Sequence, residues 1–277
     1  MLCLVSPSSH LRLTSNVRLA TAAVIRSFRP MPPIALVTGG AVRIGRAITI
    51  GLAKCGYDVV VNYHTSEKAA RDLEATLTEQ GREVLLAHGD ISTQEAIEKI
   101  SQSVKKRFGR LDVLVNNASS FFSTSLLDID SEEWDYVLDS NLKASHLTVR
   151  EFAPLLKESS GCVVNIADYM GLQPLVHYAH HSVAKAALMH LTRIQAMALA
   201  PKVRVNAVAP GLVLAPEGMG KSRLGSEIKA TLLKRMGTVE DVVHTVLFLV
   251  QSPYMTGQTI IVDGGASVPG GLSHRNS

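Results

Sequence analysis

Acidic residues are absent from Met1 to Tyr57; the first is Asp58. The same stretch carries Arg12, Arg18, Arg26 and Arg29 and closes a Ser-rich run with Pro30-Met31-Pro32-Pro33. That composition fits an organellar transit peptide, and equally a disordered tail or an extension ahead of a translation start at Met31. The first reading places the protein in a mitochondrion or plastid, the last in the cytoplasm. Residues 1–33 are therefore set apart as a leader, and one domain is sought in 34–277. The net charge of +4 resides in the leader, and the remainder is close to neutral. A nucleic-acid partner is not indicated by a charge so placed.

Cysteine is almost as scarce. Cys3, Cys55 and Cys162 are the only three, and one lies in the leader. No disulfide framework follows, and no CxxC or Cys/His spacing suggests a metal. No apolar run reaches the roughly 18 residues that cross a bilayer. What remains is an ordinary globular composition, with 46% hydrophobic and 19% charged residues, enough for one substantial core.

Short apolar runs alternate with helical patterns, without internal repeats. Strands are expected at Ile34–Val37, Asp58–Tyr63, Glu83–Ala87, Leu111–Val115, Cys162–Ile166, Val203–Val208 and Thr259–Val262. Helices are expected at Arg46–Lys54, about 66–80, about 93–108, Trp134–Lys157, through Lys185 to Leu199, about 226–236 and 239–250. The fold class is α/β: a single doubly wound parallel sheet, Rossmann-type, with helices on both faces. Right-handed crossovers bring the strand C-termini to one edge, where such sheets bind ligands.

The first strand runs into Thr38-Gly39-Gly40-Ala41-Val42-Arg43-Ile44-Gly45 and then a helix. A glycine turn there lets backbone N–H groups approach a pyrophosphate at a helix N-terminus. The second strand ends Asn62-Tyr63-His64-Thr65-Ser66, without the acid that would hold a ribose 2′-hydroxyl. Arg43, His64 and the Ser66 hydroxyl favour a 2′-phosphate instead, so NADP is expected rather than NAD.

These motifs resemble the short-chain dehydrogenase/reductase family. The resemblance rests on Thr38-Gly39-x-x-x-Arg43-x-Gly45, Asp90, Asn116-Asn117-Ala118, Asn141, Lys185, Pro210-Gly211 and Met255-Thr256-Gly257 with Val262-Asp263-Gly264-Gly265, in order across 34–266. Arg43 stands where the family usually has glycine. With Ser119-Ser120-Phe121, Asp168 in place of the usual serine, and Gln173-Pro174-Leu175, it is similar to the pteridine reductase branch. The resemblance implies NADPH, a homotetramer, and hydride transfer to a C=N bond of a dihydropterin or dihydrofolate. A carbonyl or 3-oxoacyl reductase of the same fold and a non-catalytic NADP-binding protein are the rivals. The resemblance also assigns the dinucleotide to Gly39, Arg43, Ile44, Gly45, Tyr63, His64, Thr65, Ser66, Asp90, Ile91, Asn117, Ala118, Lys185, Pro210 and Gly211, with Asp90 at the adenine and Lys185 at the nicotinamide ribose. Asn141 would hold a helix bulge and a water serving Lys185. Ser119, Phe121, Asp168 and Tyr178 would face the substrate.

One position breaks the pattern. The family's catalytic tyrosine lies four residues before its lysine, and here that residue is His181. The register is sound, because Asp168 lies thirteen before His181, the family's own spacing. His181 and Lys185 share a helix face. Tyr178 lies two turns from Lys185, roughly 10 Å away, and replaces the missing phenol only if the helix begins late and the loop folds back. Three readings stay open: His181 is the proton donor; Tyr178, or a water held by Asp168, is; or the site does no chemistry. His177, His180 and His181 do not make a metal set, since no spaced Cys or acid completes one. Residues 216–225 read as a substrate lid, and Leu126, Leu175 and Met219 as apolar pocket walls.

Overall fold

A computed structural model describes residues 31–215 and 220–268; the leader through Pro30 and the Met219 wall lie outside them. Seven parallel strands form one sheet in the order β3-β2-β1-β4-β5-β6-β7. They are β1 (Ile34–Val37), β2 (Asp58–Tyr63), β3 (Val84–His88), β4 (Val113–Asn116), β5 (Cys162–Ile166), β6 (Arg204–Pro210) and β7 (Thr259–Val262). The order reverses between β1 and β4, so the crevice opens above those strands.

Both faces of the central strands are apolar because both are covered. Ile34 and Leu36 pack with Ile97, Phe152 and Leu156 on one side. Ala35 and Val37, pointing the other way, pack with Ile48, Leu52, Val242 and Val246. The helices are α1 (Arg43–Lys54), α2 (Glu67–Glu79), α3 (Gln94–Arg107), α4 (Ser131–Leu138), α5 (Ala144–Ser159), α6 (Ala179–Leu199), α7 (Lys221–Ala230) and α8 (Val239–Gln251).

Three helix expectations need correction, and a fourth gains its start. The first helix begins at Arg43, three residues earlier than its apolar pattern, with Val42 extended at its cap. The long helix expected over Trp134–Lys157 is two helices joined by a π-helical turn, Asp139–Lys143; Asp130 starts the first by accepting the Glu133 N–H at 2.8 Å. The helix expected at about 226–236 is α7, and it ends at Ala230, where the Thr231 hydroxyl turns back to the Ile228 carbonyl at 2.9 Å. The helix carrying Lys185 starts only at Ala179. Among the described residues no helix is long and apolar enough to cross a membrane.

Candidate active site

The glycine turn at one end of the crevice is largely bare backbone. Gly39 lies at φ +59°, and a Cβ there would sit 3.1 Å from the Ala118 Cα. A Cβ on Gly45 would collide with the Gly39 carbonyl and the Asn117 amide. Arg43 also holds a left-handed backbone, φ 51°, which explains why glycine is the easier residue at this position. Its side chain is exposed.

Two residues with no role in the sequence reading hold this turn. Asn62 accepts the Gly39 N–H at 3.1 Å and donates to the Ala87 and Gly89 carbonyls at 3.0 and 3.1 Å. It ties the turn to the ends of β2 and β3. Thr38 accepts the N–H groups of Asn117 and Ala118 at 2.9 and 3.0 Å through its hydroxyl. The only signal in the sequence was a polar residue closing an apolar strand. His64 and Thr65 are exposed beyond β2, with Tyr63 buried behind them, and Ile91 is buried behind Asp90. Asp90 spends one oxygen on the Ser92 N–H at 2.9 Å. Pro210 and Gly211 follow β6, and Gly211 donates its N–H to the Val262 carbonyl at 2.9 Å.

At the opposite end, α6 presents His181 and Lys185 one turn apart. The Lys185 ammonium donates to the Ile166 carbonyl at 2.9 Å. Burial pushes its pKa down to about 8, with Asp168 pulling the other way. Asp168 accepts the Met170 N–H at 2.8 Å with Oδ1, capping a short 3₁₀ turn. Its Oδ2 lies 3.5 Å from His181 Nε2, a close ionic approach longer than a good hydrogen bond. His181 is only 2% exposed. Burial is the main cause that holds its pKa below the usual imidazole range; Asp168 raises it and Lys185 lowers it. Neither of its ring nitrogens makes a hydrogen bond of ordinary geometry among the described residues, and the Ser120 backbone is a further, smaller influence that raises its pKa.

The π-helical turn delivers Asn141 to the loop after β4. Asn141 donates to the Val137 and Ser120 carbonyls at 2.9 and 3.0 Å and accepts the Ser119 hydroxyl at 2.5 Å. It joins Lys185 in lining one small cavity with Thr38, Asn116 and Ser145. Beneath, a buried polar web hangs α5 and α6 on the sheet. Asn165 donates to Thr192 Oγ1 and Gln195 Oε1, both at 2.9 Å, and accepts from Asn116 and Ser145 at 2.9 Å. Asn116 in turn accepts the Thr148 hydroxyl at 2.7 Å.

The late start of α6 folds the preceding loop back, as Tyr178 required, yet the phenol does not reach Lys185's partner set. The Tyr178 ring stacks on Phe121 at 4.6 Å, and its hydroxyl accepts from the Arg223 guanidinium at 3.5 Å. The other edge of this aromatic group is His181, T-shaped to Phe121 at 4.9 Å. Thr124 and Tyr178 form an isolated parallel bridge that fastens the two loops together. His177 is exposed, and His180 turns away to Glu133, 2.9 Å from Nε2; the three histidines thus look in three directions. Leu126 is 48% exposed. The part of the expected lid that is described is α7, whose Arg223 covers Tyr178.

Comparison with known proteins places this geometry. A family model described as enoyl-(acyl carrier protein) reductase matches residues 40–267. A 3-oxoacyl-[acyl-carrier-protein] reductase from Synechocystis is 36% identical over 239 residues, 84% of this chain and 96% of that one. The 3-oxoacyl-[acyl-carrier-protein] reductase FabG of Staphylococcus epidermidis is 34% identical over 240 residues, 83% of this chain and 97% of that one. A solved short-chain dehydrogenase/reductase from Burkholderia xenovorans superposes with a TM-score of 0.79 at 29% identity, covering 86% of this chain and 99% of its own. Two of these three proteins bear the name of 3-oxoacyl reductases, and none of the three is described as acting on pterins. The chain belongs to the short-chain dehydrogenase/reductase family and is an oxidoreductase of that fold.

Proposed function

We propose that the protein reduces the keto group of 3-oxoacyl thioesters or similar carbonyl compounds with NADPH, with His181 in place of the family's phenol. The observation that carries this is the enclosure of His181 between Asp168 and Lys185. The names of the relatives support the substrate class.

The residues fit a dinucleotide. The tight glycine turn, which packs against Asn117 and Ala118 without Cβ atoms at Gly39 and Gly45, suits a pyrophosphate at the start of α1, and Arg43, His64 and Ser66 suit a 2′-phosphate. Asp90 and Ile91 would flank the adenine, Asn117 and Ala118 would line the groove, and Lys185 would hold the nicotinamide ribose. When bound, the dihydronicotinamide supplies a hydride to the carbonyl carbon. His181 supplies the proton: Nε2 faces Asp168, so Nδ1 is the atom left to donate to the carbonyl oxygen. Asp168 stabilises the imidazolium, whereas burial and Lys185 destabilise it, so the proton leaves readily. The carbonyl thereby gains hydride and proton and becomes an alcohol.

Reduction of a dihydropterin is the second reading, favoured by Arg43 and Asp168. Against it, the face of Phe121 is already occupied by Tyr178. Loss of reduced-nicotinamide absorbance, followed with acetoacetyl thioesters, dihydrobiopterin and dihydrofolate, separates the two. NADPH binding without turnover of any of them overturns both and leaves a dinucleotide-binding protein. A homotetramer belongs to the same proposal, supported by apolar residues exposed on α6 and α8 (Ile194, Met197 and Phe248); light scattering on the eluting protein tests it.

A further inference from the structure

The C-terminal ends of β2 and β3 carry a ring cluster that the site described above leaves unused. Tyr63 and His88 are register partners across these strands, with ring centroids 5.3 Å apart. The His88 ring also lies 6.2 Å from that of His64. Tyr63 is buried, whereas both imidazoles are exposed. Neither joins any of the ion pairs formed among the described residues.

The position of this pair carries the argument. Asn62, the residue before Tyr63, binds the Gly39 N–H with its side chain at 3.1 Å and the Gly40 N–H with its carbonyl at 2.9 Å. The strand ends that carry the pair are thereby tied to the glycine turn that bears Arg43. Asn62 also donates to the Ala87 and Gly89 carbonyls, on either side of His88. One amide thus fixes the spacing of all three segments. β2 ends without a carboxylate; the nearest in sequence to His64 and His88 are Glu67, paired with Arg71, and Asp90, which spends one oxygen on the Ser92 N–H.

We propose that His88 is a third ligand for the 2′-phosphate of NADP, completing with Arg43 and His64 an anion site drawn from three segments. The inference rests on the NADPH reading above. A phosphate monoester carries about −1.5 to −2 charges at neutral pH, more than one guanidinium balances. Imidazole rings supply N–H donors for its oxygens. Tyr63 packs against His88 and limits the rotamers that its ring must give up on binding. β3 thus takes part in choosing NADP over NAD, a choice that the sequence reading confined to β2 and the glycine turn.

The test measures dissociation constants of NADPH and NADH by nicotinamide fluorescence, and of 2′,5′-ADP and 5′-AMP by calorimetry. Each pair differs only in the 2′-phosphate. In His88→Gln the NADPH-over-NADH preference is expected to fall about tenfold, and the 2′,5′-ADP-over-5′-AMP preference with it; His88→Arg is expected to restore both. An equal loss for both members of each pair, or no change in either ratio, overturns the proposal, since packing against Tyr63 would weaken all four ligands alike. If the unaltered protein binds none of the four, the cofactor reading itself falls. That failure is distinguishable from one in which NADPH binds and His88 is indifferent.

Discussion

His181 Nε2 and Asp168 Oδ2 stand 3.5 Å apart, the imidazole buried and the carboxylate partly open to solvent. At that distance the carboxylate biases the protonation of the ring without locking it in a strong hydrogen bond. The pair replaces the serine and tyrosine of the usual family site, and its behaviour with pH should differ accordingly.

On the proposed mechanism the imidazolium form of His181 is the acid. Because burial holds its pKa below the ordinary value, reduction should be fastest on the acidic side and decline as pH rises through a point below about 6.5. Removing the Asp168 charge takes away a raising influence, so Asp168→Asn should move the decline to still lower pH. The pH profile of kcat/KM for an acetoacetyl thioester measures both. A decline that does not move in Asp168→Asn would detach this pair from the chemistry.

Replacing the acid tests its identity. His181→Phe keeps the ring volume and should lower kcat by about 100-fold or more, the usual size of a general-acid contribution. His181→Tyr restores the family's phenol beside Lys185 and should recover turnover, with activity persisting to higher pH. Steady-state kinetics on the three proteins decides it. Full activity in His181→Phe would return the proton to Tyr178 or to a water at Asp168.

Stability should depend on the same groups. The folded pKa of His181 is lowered, so below about pH 6.5 the unfolded chain binds a proton that the folded one resists. Stability is therefore lost as pH falls from that value through the folded pKa. Lys185 behaves alike in an alkaline window. Its pKa is about 8 when folded against 10.5 ordinarily, so stability is gained as pH rises between these values and is missing below them. Thermal midpoints against pH should show both slopes; His181→Phe should flatten the acidic one and Lys185→Met the alkaline one.

Arg43 sets backbone ease against binding. Its left-handed φ of 51° costs on the order of 1 kcal/mol that glycine does not incur. Arg43→Gly should raise the thermal midpoint by about 2–4 °C while weakening NADPH about tenfold or more and NADH far less. Calorimetry on both nucleotides checks it. A loss of stability would mean that the guanidinium makes contacts with the fold itself.

The sheet was legible because β1, β2, β4 and β5 are buried on both faces and must read as continuous apolar runs. The glycine turn was legible because close approach excludes Cβ atoms at Gly39 and Gly45. The π-helical turn was legible only through the resemblance, which set a helix bulge at Asn141; its residues Asp139–Lys143 have no composition distinct from an α-helix. The late start of α6 was hidden, because Tyr178 makes no side-chain cap and its position follows from stacking on Phe121. His88 gave no signal either: its strand partner lies 25 positions earlier in the chain, at Tyr63, and only the register brings the two together.

The web centred on Asn165 has a consequence for how this protein can vary. Asn116, Ser145, Thr192 and Gln195 all meet Asn165 where water does not reach, so exchanging one for an apolar residue strands the donors or acceptors of the rest. Single changes there are penalised even when a fully apolar set would pack well. Descendants of this sequence should keep these positions together or replace them together, leaving few viable intermediates.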